Sequence, residues 1–160
     1  MSNDQATRPL DHAEPVRRMT TATPEQVWAV ISDGWTYPAW VVGAPRMRAV
    51  TPDWPARGAE LHHSFGLWPA MVNDKTVSLR CHEARRLVME AHGWPFGEAV
   101  ISLEITPTAD GCEISISEDV SAGPGFGVPA FVRQPLIRAR NREVLRRLSF
   151  VAEHAGSAAR

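Results

Sequence analysis

His63 and Glu118 are the two residues whose types and positions suggest chemistry. Each falls among apolar neighbours once the alternation of a strand is applied. Along 61–65, Leu61, His63 and Phe65 share one face, and His62 and Ser64 turn the other way. Along 112–120, Cys112, Ile114, Ile116, Glu118 and Val120 share a face. An imidazole titrates near neutral pH, so His63 suits a general base or a ligand hydrogen-bonder. A desolvated Glu118 would have its pKa pushed up and could serve as an acid. The alternative for both is a rim residue satisfied by backbone, water or an arginine. Nothing in the sequence brings the two together.

The candidate ligand-binding residues are Trp40, Phe65, Met89, Trp94 and Asn141. Asn141 lies in the middle of an apolar helix face, where a buried amide must find partners. It either bonds the neighbouring sheet or loop, or it points at a ligand. Trp28 belongs to a helix stripe and is expected in the core, whereas Trp35, Tyr37 and Trp40 follow that helix and could roof a cavity. Trp68, Trp94 and Phe96 fall in turns, where a ligand mouth or a protein interface would account for them. Met71 and Met89 are expected as adaptable core fillers.

Other chemistries lack their residues. There is no Gly-x-Ser-x-Gly elbow, P-loop or Gly-x-Gly-x-x-Gly helix start, and Gly125-Phe126-Gly127 runs into Pro129 as a loop. Cys81 and Cys112 have no metal-ligand spacing, and His62 and His63 fall on opposite faces, so no metal and no cofactor is expected. Arg133, Arg138, Arg140, Arg142, Arg146 and Arg147 read as a solvated helix face that meets only Glu143.

The elements that must position these residues follow from periodicity. A short strand is expected over 14–20. Thr23-Pro24-Glu25-Gln26 opens a helix with a cap, a proline at its first position and a capping box; Asp33-Gly34 ends it. Residues 35–40 read as a second short helical turn or ordered loop. Period-two stretches then predict strands over 47–51, 59–65, 76–83, 86–92, 99–106 and 112–120. Turns separate them at 52–58, 66–74, 93–97 and Asp110-Gly111, the last being the best hairpin signal. From about Pro129 to His154 a long helix puts Ile137, Asn141, Val144, Leu145, Leu148 and Ala152 on one face, with Pro135 expected to kink or restart it. A strand meander of that length curls, and only the last helix can cover its concave face. A pocket between the two is the expected consequence.

Composition sets the frame. With 160 residues the chain suits one domain, expected over 14–155 between a disordered N-terminal tail at 1–13 and a C-terminal tail at 156–160. The formal net charge of −1 gives no global reason to bind nucleic acid. No apolar run approaches the roughly 18 residues of a membrane span, and the N-terminus has no signal-peptide pattern. A cytoplasmic protein is expected. The six Trp are the unusual feature; five of them fall in predicted loops and turns around the cavity.

The ordered run Pro24-Glu25-Gln26-Val27-Trp28, Asp33-Gly34, Tyr37-Pro38-Ala39-Trp40, Gly58 before His62-His63, Arg85 to Glu90, Glu118-Asp119 and Arg140 to Leu148 resembles the START/Bet v 1-like (SRPBCC) superfamily, nearest its polyketide cyclase/dehydrase-like members. The resemblance spans nearly all of 14–155. It implies an α+β helix-grip fold: a curved antiparallel sheet of about seven strands wrapped on a long C-terminal helix, with one or two short helices after the first strand. Fold does not fix function. Three readings follow: binding of a small hydrophobic or aromatic molecule; cofactor-free cyclase or dehydratase action on a polyketide-like substrate, with His63 or Glu118 moving a proton; or an interaction protein with a filled cavity. A homodimer stays open.

Overall fold

A computed structural model of the chain describes residues 10, 13–67, 69–93 and 97–155. Trp68, Trp94, Phe96 and most of both expected tails lie outside the described residues.

Strand β1 (Val16–Thr20) leads into helix α1 (Pro24–Ser32) through the expected capping box. Gln26 N donates to Thr23 Oγ1 at 3.3 Å, and Thr23 N donates to Gln26 Oε1 at 2.8 Å. Val27, Trp28, Val30 and Ile31 bury one side of this helix. Asp33 Oδ1 then accepts from Trp35 N at 3.0 Å and starts a 3-10 turn, Gly34–Thr36, that passes directly into α2 (Tyr37–Trp40).

Six strands follow: β2 (Arg46–Val50), β3 (Glu60–Leu67), β4 (Ala70–His82), β5 (Arg86–Gly93), β6 (Gly97–Thr108) and β7 (Gly111–Ala122). All pair antiparallel in one seven-stranded sheet of order β1-β7-β6-β5-β4-β3-β2, so the first strand lies beside the last. The Asp110-Gly111 signal marks the tight β6–β7 turn, where Thr108 pairs with Gly111. Gly111 has φ +148°, and a Cβ there would stand 2.1 Å from the Thr20 carbonyl oxygen at the end of β1.

The turn expected over 66–74 is far shorter. β3 and β4 pair to their tips, Leu67 with Ala70, and Ser64 Oγ donates to Asn73 Oδ1 across them at 3.2 Å. The polar residues taken as a turn belong to the outer rim of the sheet, where strand side chains meet water. Met71 accordingly stands exposed rather than in the core.

Helix α3 (Ala130–Ala155) runs unbroken through Pro135, with no restart. Asn141, Val144, Leu145, Leu148, Ser149 and Ala152 are its buried face, and it packs on α1, α2, β1 and β7. Burial of Leu145 and Leu148 contributes about 2 kcal/mol each to holding the helix on the sheet. The chain is thus α+β, one curved antiparallel sheet closed by a long terminal helix.

Three sequence expectations about side chains fail here. Trp54 sits in the core, its Nε1 donating to the Ile31 carbonyl at 3.1 Å, and does not border the cavity. Trp35 is 61% exposed and is not among the described residues that line the cavity. The arginines of α3 are not one solvated face either. Arg133 holds Asp119 through Nε and Nη2 at 2.7 and 3.0 Å, Arg138 pairs with Glu14, and Arg140 turns inward. Burial works to raise the Asp119 carboxyl, but the bonds from Arg133 and from Val120 N hold it below the ordinary carboxylate range.

Candidate ligand site

The cavity exists because side chains shrink along two paired strands. Met89 and Ile101 are register partners, as are Leu87 and Leu103, and all four are large, buried side chains. Two residues further on, Ala91 faces Ala99, and Gly93 faces Gly97. Under the N-terminal half of α3 the floor therefore drops, leaving a cavity of about 210 Å³. Phe65, Val120 and Ile137 supply further apolar wall, and Tyr37, Val41 and Ala44 close it from the α2 side.

Among the described residues six polar side chains border this space, two of which, His92 and Glu98, face each other with Nδ1 3.2 Å from Oε1. His63 and Glu118, separate in the sequence, line the same cavity, with Tyr37 and Arg140. His63 is 3% exposed, and burial pushes its pKa down to about 4, so the ring is neutral at pH 7. Its Nε2 lies 3.0 Å from Thr76 Oγ1, which also lies 3.2 Å from the Tyr37 hydroxyl. Tyr37 stacks on the imidazole at 5.3 Å and 29°, and burial raises its phenol pKa. Among the described residues His63 Nδ1 has no hydrogen-bond partner. The order of protons along Tyr37, Thr76 and His63 decides whether Nδ1 offers a donor or an acceptor.

Glu118 is not a lone acid. Arg140 Nη1 donates to both of its carboxylate oxygens at 2.9 Å, so these two charged groups of the cavity wall match each other.

A second, smaller cell adjoins the first and shares Tyr37, Val41, Glu118 and Arg140 with it. Trp40, Met89 and Asn141 line this cell. Of the seven residues singled out from sequence, His63, Phe65 and Glu118 border the larger cavity, and Trp40, Met89 and Asn141 the smaller. Trp94 lies outside the described residues. Sequence reasoning missed Thr76 and misplaced Arg140. Arg140 had a signal: it stands three residues after Ile137 and four before Val144, at the border of the apolar face. Thr76 had only its parity with Ser78, two small polar residues on the inward face of a strand.

The family described as polyketide cyclase / dehydrase and lipid transport matches residues 16–153. The chain belongs to this family. The match takes in every element from β1 to all but the last residues of α3, and so the whole of both cavities. Solved structures agree on the fold. Protein NE0264 of Nitrosomonas europaea superposes with a TM-score of 0.70 at 13% identity, over 91% of this chain and 96% of that one. SA2116 of Staphylococcus aureus gives 0.72 at 9% identity, over 91% and 95%. StfQ, a di-domain ARO/CYC from the steffimycin biosynthetic pathway, gives 0.70 at 13% identity, over 94% of this chain and 53% of StfQ. A comparison with curated proteins finds no match. Among the described residues, no helix is long and apolar enough to cross a membrane.

Proposed function

We propose that this family member binds a small hydrophobic or aromatic molecule in the cavity between the sheet and α3. The observation that supports this best is the floor of Ala91, Gly93, Gly97 and Ala99 beneath apolar walls, in a space whose ionised residues include a mutually paired Glu118 and Arg140. A hydrocarbon-lined cavity of about 150 Å³ takes benzene. At about 210 Å³ this one suits a molecule of one or two rings. Native mass spectrometry of protein purified from its own host tests the reading. A retained small molecule, lost when Ala99→Phe fills the floor, is the expected result. Protein that carries nothing and shows no saturable uptake of naphthalene-type probes would end it.

One observation favours a second reading. The neutral His63 ring, with Nδ1 unpartnered among the described residues, borders the same cavity as Glu118. In a cofactor-free cyclase or dehydratase, it would take the proton α to a carbonyl of a polyketide-like substrate held there. Turnover of such a mimic by the native protein, abolished in His63→Leu while binding persists, would establish this role; binding without turnover leaves the first reading.

A further inference from the structure

The smaller cell has room for one oxygen atom. Its volume is about 10 Å³, close to a single water-sized sphere. Most of its lining is carbon: Met89, Ile101, Leu103, Ile116 and Val144. Yet two polar atoms there are left over. Trp40 is 2% exposed and Asn141 1%, and among the described residues neither Trp40 Nε1 nor Asn141 Oδ1 has a hydrogen-bond partner. Each such orphan costs about 1–3 kcal/mol, and buried polar groups are normally satisfied. One orphan is a donor and the other an acceptor.

We propose that this cell is a hydroxyl-recognition subsite: the ligand's aromatic body occupies the larger cavity, and its hydroxyl oxygen enters the cell, accepting from Trp40 Nε1–H and donating to Asn141 Oδ1. The proposal rests on the larger cavity being the ligand site. The chemistry selects the group. A carboxylate would accept from Trp40 but face the Asn141 oxygen and the Glu118 carboxylate. An ammonium could serve Asn141 only, and a ketone or ether Trp40 only. A methyl group serves neither. Glu118 and Arg140, which the two cavities share, satisfy each other at 2.9 Å and do not compete for the hydroxyl. A hydroxyl alone both donates and accepts through one atom of the right size. Water shares that chemistry, so the test must separate a ligand hydroxyl from a resident water.

The experiment is calorimetric titration of the full chain with 2-naphthol and with 2-methylnaphthalene, which replaces the hydroxyl by a group of similar size. 2-Naphthol should bind at least about tenfold tighter, the worth of two recovered hydrogen bonds. In Asn141→Leu that preference should collapse towards unity, chiefly through weaker naphthol binding. Trp40→Phe should do the same, and serves if the first variant does not fold. A merely structural Asn141 would change the melting temperature and leave the ratio intact. Equal affinities in the native protein would assign the cell to a resident water and overturn the proposal, with the larger cavity still a ligand site. A preference that survives both substitutions overturns it too. If neither probe binds the native protein, the cavity reading itself falls, and this inference with it.

Discussion

Arg140 on α3 ties three parts of the fold together through Glu118: its Nη1 donates to both Glu118 oxygens at 2.9 Å, and its Nε donates to the Val42 carbonyl at 3.1 Å. The helix, strand β7 and the segment after α2 are fixed around one guanidinium. Its position also sets where the larger cavity ends and the smaller begins.

Removing one partner of this pair strands the other. The Glu118 side chain is 9% exposed and that of Arg140 29%, so Arg140→Met should cost about 2 kcal/mol in urea unfolding, below the range for a fully buried pair. The double variant Glu118→Gln/Arg140→Met should recover at least half of that loss. Unchanged stability of Arg140→Met would show that the pair contributes nothing.

His63 predicts a pH dependence. Its ordinary pKa of 6.5 falls to about 4 in the folded chain, so between these values the unfolded state binds the extra proton. The contribution is complete above pH 6.5 and is lost as pH falls towards 4. It amounts to roughly 3 kcal/mol at 1.36 kcal/mol per pH unit. His63→Leu should remove that part of the acid sensitivity. The difference between native and variant unfolding free energies, measured from pH 7 to pH 4, should therefore slope; a flat difference would refute the assignment.

The cavity depends on small floor residues. Ala99→Phe or Ala91→Phe should abolish binding of 2-naphthol with little change in melting temperature, because the new ring enters existing space. Binding that survives both substitutions would place the ligand elsewhere.

Trp54 offers a control. Trp54→Phe removes the bond to the Ile31 carbonyl and part of a buried ring, for a loss of about 1–3 kcal/mol in urea unfolding. Probe affinity should not move, since Trp54 lines neither cavity. A weakened affinity would mean that the α1 side of the core is coupled to the site.

The parts of this protein legible in its sequence are those governed by near neighbours along the chain. Thr23 and Gln26 cap α1 because they stand three residues apart. Ile114, Ile116 and Glu118 turn inward together because a strand alternates. Asn141 is buried because it shares the helix face of Val144, Leu145 and Leu148. The same reasoning read 66–74 as a turn, since Gly, Pro, Asn and Asp favour turns, while the pairing of Ser64 with Asn73 carried β4 on to Ala70. It also scattered five Trp around a cavity, though Trp54 is core and Trp35 exposed.

What lies between distant segments was decided only by the fold. His63 and Glu118 border one cavity because β3 and β7 stand at fixed places in a curved sheet with α3 across both. Arg140 faces inward because the Glu118 carboxylate is there to meet it, a partner 22 positions away that helix periodicity does not register. The residue types that could line a site were readable from alternation and amphipathicity, which are local geometry. The volume they enclose, and the two orphaned polar atoms of Trp40 and Asn141, are remainders of packing, and packing is set by every neighbour at once.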